Sequence, residues 1–330
     1  MCEFITGGGL VGEDLPESLA SEGALMRDAL LRDLSELNDW QIVTTVDSRL
    51  EQPLGDVGCR KIYPQQDVWE IWRQCMATAD AVWAIAPESS EVLLRMAALA
   101  QSNQTQWLGP SLNAIEVATD KHLMAQVLAA AKLPVIPTFF YDEWVPDDVS
   151  WLVKPYDGAG CESTFVFNSA HAVEAWFAEE VARKITHVIQ PYMTGIPASV
   201  CVLGLKQEVV VLSCNLQTIK SENGQLHYAG GVMNGAADYW PVLADLTQQI
   251  KAAIPDLEGY FGVDVLLNPD SSETPTIVEI NPRLTTSYAY LHDAIGCNPA
   301  QLVLGAMLRG VIDVTKVKRN RIEFNLEHAI

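Results

Sequence analysis

The sequence predicts an α/β protein that turns α+β in its C-terminal lobe, and three observations carry that prediction. Short apolar strands alternate with amphipathic helices up to residue 108, as in a parallel sheet built from β-α-β units. From His187 to Gly230, strand-like runs follow one another with only turn residues between them, as in antiparallel hairpins. Residues 276–283, TIVEINPR, begin as a β-branched strand and then carry Glu279, Asn281 and Arg283 on alternate positions, so these side chains leave one face.

With 330 residues the chain has room for two or three lobes. The expected division is a parallel-sheet α/β domain over 1–110, a small lobe over 111–188 and a large lobe over 189–330. The composition is 49% hydrophobic and 19% charged, that of an ordinary folded domain. A formal net charge of −21 argues against nucleic acid or an anionic membrane as partner. The seven cysteines include no CxxC pair and fit neither a disulfide framework nor a zinc site, so a reduced cytoplasmic protein is expected. The N-terminus lacks the basic and apolar regions of a signal peptide, and no run of 18 apolar residues is present.

In order along the chain, Cys2 to Thr6 reads as a strand leading into Gly7-Gly8-Gly9. The letters GxGxxG are present, but Glu13 and Asp14 would face the pyrophosphate of a dinucleotide, so that reading is set aside. Leu19, Leu25, Met26, Leu30, Leu34 and Leu37 mark one or two amphipathic helices after Pro16. Strands are expected at 42–46, 81–86 and 106–108, and helices at 68–78 and from a Ser90 cap through Ala100. Ligands of such sheets sit beyond the C-terminal strand ends, where Gly7 to Gly9, Asp47 and Glu88 fall.

Asp120 or Thr119 caps the next expected helix, Lys121 to about Lys132. A lysine in the first turn opposes the helix dipole, so Lys121 is either solvated or placed there for a nearby anion. The segment 133–138 leads towards a strand. Trp151 to Pro155 is an apolar strand holding one lysine, Lys154, and the loop Tyr156-Asp157-Gly158-Ala159-Gly160-Cys161 follows. A strand lysine before a small-residue loop can clamp phosphates, the ammonium neutralising oxygens while backbone N–H groups close over them. No Walker A loop occurs. A helix is expected at 170–184, strands at 187–193, 199–205, 208–215 and 226–230, a helix at 246–254 and another at 299–311.

Tyr260 to Leu267 is an apolar strand with one acid, Asp264, and a short connection, 268–275, joins it to the strand of Glu279. Antiparallel pairing would set Asp264 and Glu279 side by side, an arrangement that calls for a cation between them. With Asn281 they offer hard oxygen ligands, and Arg283 supplies a planar cation for a phosphoryl group. The basic run Lys316 to Arg321 reads as a solvated face.

Lys121 at a helix start, Lys154 before a glycine loop, the strand VIQPYM, Asp264 and VEINPR occur here in order. That order resembles the ATP-grasp superfamily of carboxylate–amine ligases over roughly residues 110 to 300. The resemblance implies a pre-ATP-grasp domain over 1–110 and two lobes that clamp ATP. It implies phosphate contacts from Lys121, Lys154, Gly158 and Gly160, an adenine pocket at Gln190 and Met193, and magnesium or manganese, two ions, on Asp264, Glu279 and Asn281. Arg283 and Lys154 would act on the transferred phosphoryl. The chain departs from the family in having Gln190 where many members carry glutamate, and Pro197 where many place a carboxylate on the ribose. FITGGGL, SLASEGALMRDALLRDL, ADAVWAIAPE and EINPRLTTSY further resemble the tyramine–glutamate ligase group of methanofuran biosynthesis. This implies γ-glutamylation of an aromatic amine, tyramine or tyrosine, with Gly7, Gly8, Gly9, Glu88, Thr285, Thr286 and Ser287 as candidate substrate contacts. The expected partners are a small-molecule acid and amine, without nucleic acid or membrane, and a homodimer is left open as the assembly. Another acid and amine pair, or a nucleotide-binding regulator without turnover, are the alternatives.

Overall fold

In the computed structural model, residues 1–326 are described except 54, 56, 159 and 269–273. Ala159 of the glycine loop and most of the expected 268–275 connection thus lie outside the described residues. The N-terminal elements run β1 (Cys2–Glu3), α1 (Glu17–Ser35), β2 (Val43–Asp47), β3 (Gly58–Ile62), α2 (Val68–Ala77), β4 (Ala81–Val82), β5 (Ala84–Ile85), α3 (Val92–Ser102) and β6 (Gln106–Trp107). Every strand pairing among them is parallel: β1 with β5, β2 with β3, β4 with β6. The apolar run 81–86 is central, and its first half pairs with β6 while its second pairs with β1.

Several expectations change here. β3 was not anticipated, because GCRKI carries two cations and exposes most of its length. The strand at Cys2 ends after Glu3, since residues Ile5–Gly9 wind into a wide helical turn closed by the Gly9 N–H on Phe4 O at 2.8 Å. Ser90 does not cap α3. It and Glu91 both adopt left-handed backbone, φ 56° and 58°, and the helix starts after them.

The remainder begins with α4 (Leu112–Thr119), α5 (Lys121–Ala130), β7 (Trp151–Pro155), β8 (Phe165–Phe167), α6 (Ala170–Glu179), α7 (Arg183–Thr186), β9 (His187–Pro191) and β10 (Ile196–Gly204). It continues through β11 (Val209–Glu222), β12 (Gln225–Met233), α8 (Trp240–Ala253), β13 (Gly259–Leu267), β14 (Thr276–Asn281), α9 (Leu291–Ile295), α10 (Pro299–Leu304) and β15 (Ile322–Asn325). Among the described residues, nine strands join in one antiparallel sheet of order β14-β13-β10-β11-β12-β8-β7-β9, with β15 on β12. The expected helix 170–184 breaks after Glu179, and the Arg183 guanidinium then folds over the Trp176 ring at 4.1 Å. The helix expected to 311 stops as α10 at Leu304, passes through a wider turn and ends on left-handed Gly310. The segment 133–138 makes a single isolated bridge among the described residues, Val135 to Ile277, since two prolines remove ladder donors. The basic run 316–321 is tied down rather than free: Lys318 N–H bonds Ile295 O, and Arg319 lies 3.7 Å over the Trp240 ring. It leads into β15, which was also not anticipated.

Two apolar cores cover the two faces of the central strands. One packs α4, α5 and α8 on residues such as Val200, Phe261, Val263 and Ile280. The other packs α1, α9 and α10 against Leu203, Leu212, Tyr260 and Tyr288, and it reaches Trp83 and Ile85 of the N-terminal sheet. The N-terminal domain therefore shares a core with the large sheet. Among the described residues, no helix is long and apolar enough to cross a membrane.

Candidate active site

The pairing of β13 with β14 builds the centre of the site. Gly262 faces Asn281 and Asp264 faces Glu279, after which a bulge shifts the register between Asp264 and Val265. Without side-chain order such neighbouring acids would repel each other. Here Asn281 Nδ2 donates to Asp264 Oδ2 at 3.2 Å, and Gln217 Nε2 from β11 donates to Oδ1 at 3.0 Å.

Two lysines converge on the other acid. Lys154, buried on β7, donates to Glu279 Oε2 at 3.3 Å. Lys121, the first residue of α5, brings its ammonium within 3.8 Å of the same oxygen and donates to Gly158 O at 2.5 Å. Asp120 caps that helix through the His122 and Leu123 N–H groups, so the cap fixes where Lys121 points. Burial alone would raise the Glu279 pKa, but the charges of Lys154 and Lys121 outweigh it and hold this carboxyl below its ordinary range. Asp264 goes the other way, pushed up by burial and by the Glu279 charge beside it. Burial also lowers the Lys121 pKa against the pull of Glu279.

This donor set fits a divalent cation. Two adjacent carboxylates and an amide oxygen are hard ligands, and a cation between them would offset both the burial and the Glu279 charge that push Asp264 up. Among the described residues no group of three or more His, Cys, Asp or Glu converges for a metal, so the remaining ligands would come from Asn281, water or phosphate oxygens.

All of these side chains line a cavity of about 820 Å³. Gly158, Gly160, Gln190, Met193, Arg283, Thr285, Thr286 and Ser287 line it too, as does Pro197. Gln190 is buried and donates to Thr138 Oγ1 at 2.8 Å, while Met193 is 39% exposed. Cys161 is in the wall, but burial and then the Glu279 charge push its thiol up to about 12, which leaves it protonated and non-nucleophilic.

Two expectations need correction. Gly7, Gly8 and Gly9 are not in the cavity wall. Each packs into its own domain, where a Cβ would meet Thr45 Oγ1 at 3.1 Å, the Ile62 side chain at 3.0 Å and Phe4 at 2.6 Å respectively. Glu88 is not in the wall either, because its carboxylate is buried against Arg283, whose Nε donates to Oε2 at 2.8 Å. The same turn reaches the glycine loop: Ser90 N–H donates to Asp157 Oδ2 at 2.9 Å.

The residues that line the N-terminal end were not foreseen. Ser18, Leu19, Glu22, Gly23 and Met26 form one face of α1, and Glu3 and Ile85 stand beside them. The available signal was a glutamate and a glycine interrupting an apolar helix face. Gly23 leaves room for Glu3, whose carboxylate would lie 3.0 Å from a Cβ there. Glu3 itself accepts from the Ile5 and Thr6 N–H groups and the Thr6 hydroxyl.

A cavity that gathers two lysines, an arginine and a pair of adjacent acids in one place has the charges that a nucleoside triphosphate and its metal call for. Residues 118–287, just over half of the chain, match the ATP-grasp domain, and residues 40–115 match the pre ATP-grasp 3 domain. The chain belongs to the ATP-grasp family and is an ATP-grasp ligase, a class that uses ATP and divalent metal ions. A tyramine–L-glutamate ligase from Methanocaldococcus fervens is 26% identical to it over 276 residues, covering 82% of each chain. One from Methanocaldococcus jannaschii is 26% identical over 282 residues, 82% of this chain and 78% of the relative. The fold matches that of an ATP-grasp superfamily protein from Archaeoglobus fulgidus with a TM-score of 0.73 at 23% identity, over 98% of this chain and 90% of that one.

Proposed function

We propose that this ligase joins a carboxylate to an amine through an acyl phosphate, releasing ADP, and that the pair is the side-chain carboxylate of L-glutamate and an aromatic amine, tyramine or tyrosine. One observation carries the reading: the lysines, the paired acids and Arg283 share a single cavity with an end walled by apolar and hydroxyl side chains. The curated relatives bear the name of that acid and amine.

In this reading Lys121, Lys154 and the N–H groups at Gly158 and Gly160 hold the phosphates, and Gln190 and Met193 border the adenine. Asp264, Glu279 and Asn281 would hold magnesium or manganese, two ions, and the metal would offset charge on the β and γ oxygens. The glutamate carboxylate attacks the γ-phosphorus, and ADP leaves with the bridging oxygen. The amine, once its ammonium proton has passed to water, attacks the acyl carbon through its nitrogen lone pair; the acyl C–O bond breaks, and phosphate leaves carrying the second N–H proton. Arg283 faces the phosphoryl group in flight, and Glu88 aims it. The small lobe over 111–188 carries the two lysines and the large lobe over 189–330 carries the metal set. Seven free thiols fit a reducing cytoplasm, and sizing with light scattering would test the homodimer.

The test is ADP release with Mg-ATP, L-glutamate and a panel of amines, with mass spectrometry of the products. The wild-type chain is expected to make ADP and a γ-glutamyl amide in equal amounts, and Glu279→Gln to slow this by about a hundredfold or more. An absence of amine-dependent ADP with every pair would sink the reading.

A further inference from the structure

We propose that Glu22 receives the ammonium group of the attacking amine, and that the cavity end it guards selects an amine whose body is apolar and free of a carboxylate. The inference rests on the amide-forming reading above and adds which residue chooses the amine.

Glu22 lies on the cavity-facing side of α1, and Thr286 Oγ1 donates to its Oε1 at 2.7 Å. Among the described residues no hydrogen bond reaches Oε2, so the carboxylate is fixed by one oxygen and open at the other. Glu22 and Arg283 line the same cavity, and Thr286, which holds Glu22, follows Arg283 closely in the chain, so a bound ammonium would sit on the Arg283 side of the site. Around it the wall is apolar: Leu19, which is 41% exposed, buried Met26 and Ile85, and the ring of Tyr228. A cation with a hydrophobic body would cover Leu19 and meet the one carboxylate there that is not already saturated. Glu3, the other acid at this end, is taken up by Ile5 and Thr6.

The cations in the wall decide what the amine lacks. Among the described residues they are Lys121, Lys154 and Arg283, and each already faces an acid, Glu279 for the lysines and Glu88 for the arginine. A substrate carboxylate at the Glu22 end would meet no spare cation and would face Glu22 itself. An amino acid is therefore disfavoured against its decarboxylated amine, since an unpaired anion in a partly buried wall is costly.

The experiment measures binding of tyramine, phenethylamine and tyrosine by calorimetry to the full chain with magnesium and a non-hydrolysable ATP analogue. Steady-state KM values for amine and glutamate are measured alongside. Tyramine and phenethylamine are expected to bind at least about tenfold more tightly than tyrosine, and Glu22→Gln to weaken both by about tenfold or more, the effect of losing one charge-assisted hydrogen bond. Affinity for the ATP analogue and KM for glutamate should stay within about twofold, which also shows that the variant is folded. Glu22→Asp should recover part of the amine affinity. Tyrosine binding as well as tyramine, a loss that falls on glutamate instead, or no amine binding to the wild-type chain would each overturn the proposal. Binding that follows the expected pattern without any amide formed would instead remove the ligase reading and leave the Glu22 site standing.

Discussion

Asp264 and Glu279 are chemically similar acids on facing strand positions, yet their surroundings drive their protons in opposite directions. Two lysines keep Glu279 ionised, whereas Asp264 meets burial and a neighbouring negative charge. The sign of the linkage follows. With its folded pKa raised, Asp264 binds more protons in the folded than in the unfolded chain above the ordinary carboxylate range, so metal-free stability falls as pH rises from there towards neutrality. Glu279, with its pKa depressed, stabilises the fold above that range, and its contribution is lost only as pH falls through the lowered value. A divalent ion needs both acids deprotonated. The gain in melting temperature on adding magnesium should thus be larger at pH 8 than at pH 5, and a larger gain at pH 5 would contradict the assignment. This pair was legible in the sequence because period-two alternation and a short connection are local facts. Glu22 was far less so: its partner Thr286 is 264 residues away, and its local sign, a glutamate and a glycine interrupting an apolar helix face, does not say what that face meets.

At the scale of elements, the strands of the large sheet were readable from their apolar runs, and their ends were not. β11 extends to Glu222 through exposed, polar residues, because its length is set by pairing with β12 rather than by burial. β3 and β15 escaped notice for the same reason. The glycine run is legible as a place of close approach without saying to what; here it lets the turn sit on Thr45, Ile62 and Phe4. The ties that hold the loop after β7 include the Lys121 ammonium on Gly158 O and the Ser90 N–H on Asp157. Asp157→Ala removes the second and frees the loop from the N-terminal domain. If the loop shields an acyl phosphate from water, this variant should release ADP in excess of amide, whereas the wild-type ratio stays near one. An unchanged ratio would show that the tie has no role in closure.

For the whole molecule, the decisive feature is that α1 belongs to the N-terminal domain in sequence and to the large sheet in packing. Leu30 and Leu31 lie in one core with Tyr260, Tyr288 and Leu291, and the buried Asp33 pairs with His292 at 2.8 Å. Alternation of strands and helices predicted a domain here, but such patterns describe one neighbour at a time and say nothing of which surface the domain rests on. Leu30→Ala should cost about 2–5 kcal/mol. It should also lower the melting of the entire chain in one step, with tryptophan fluorescence and far-UV circular dichroism tracing the same curve. Two separated transitions would show that the N-terminal domain is thermodynamically independent.

The turn at Ser90 and Glu91 follows Glu88, which holds Arg283, and itself holds the loop through the Ser90 N–H. Left-handed backbone costs a residue with a side chain roughly 1–2 kcal/mol, and two such residues stand here in succession. Glycine at both positions would relax that strain, so a redesign scored on thermal robustness alone would choose it. Such a protein would melt later while holding both partners of the turn less firmly. Durability and turnover are therefore set against each other at these two positions, and directed evolution for one should leave its mark on the other.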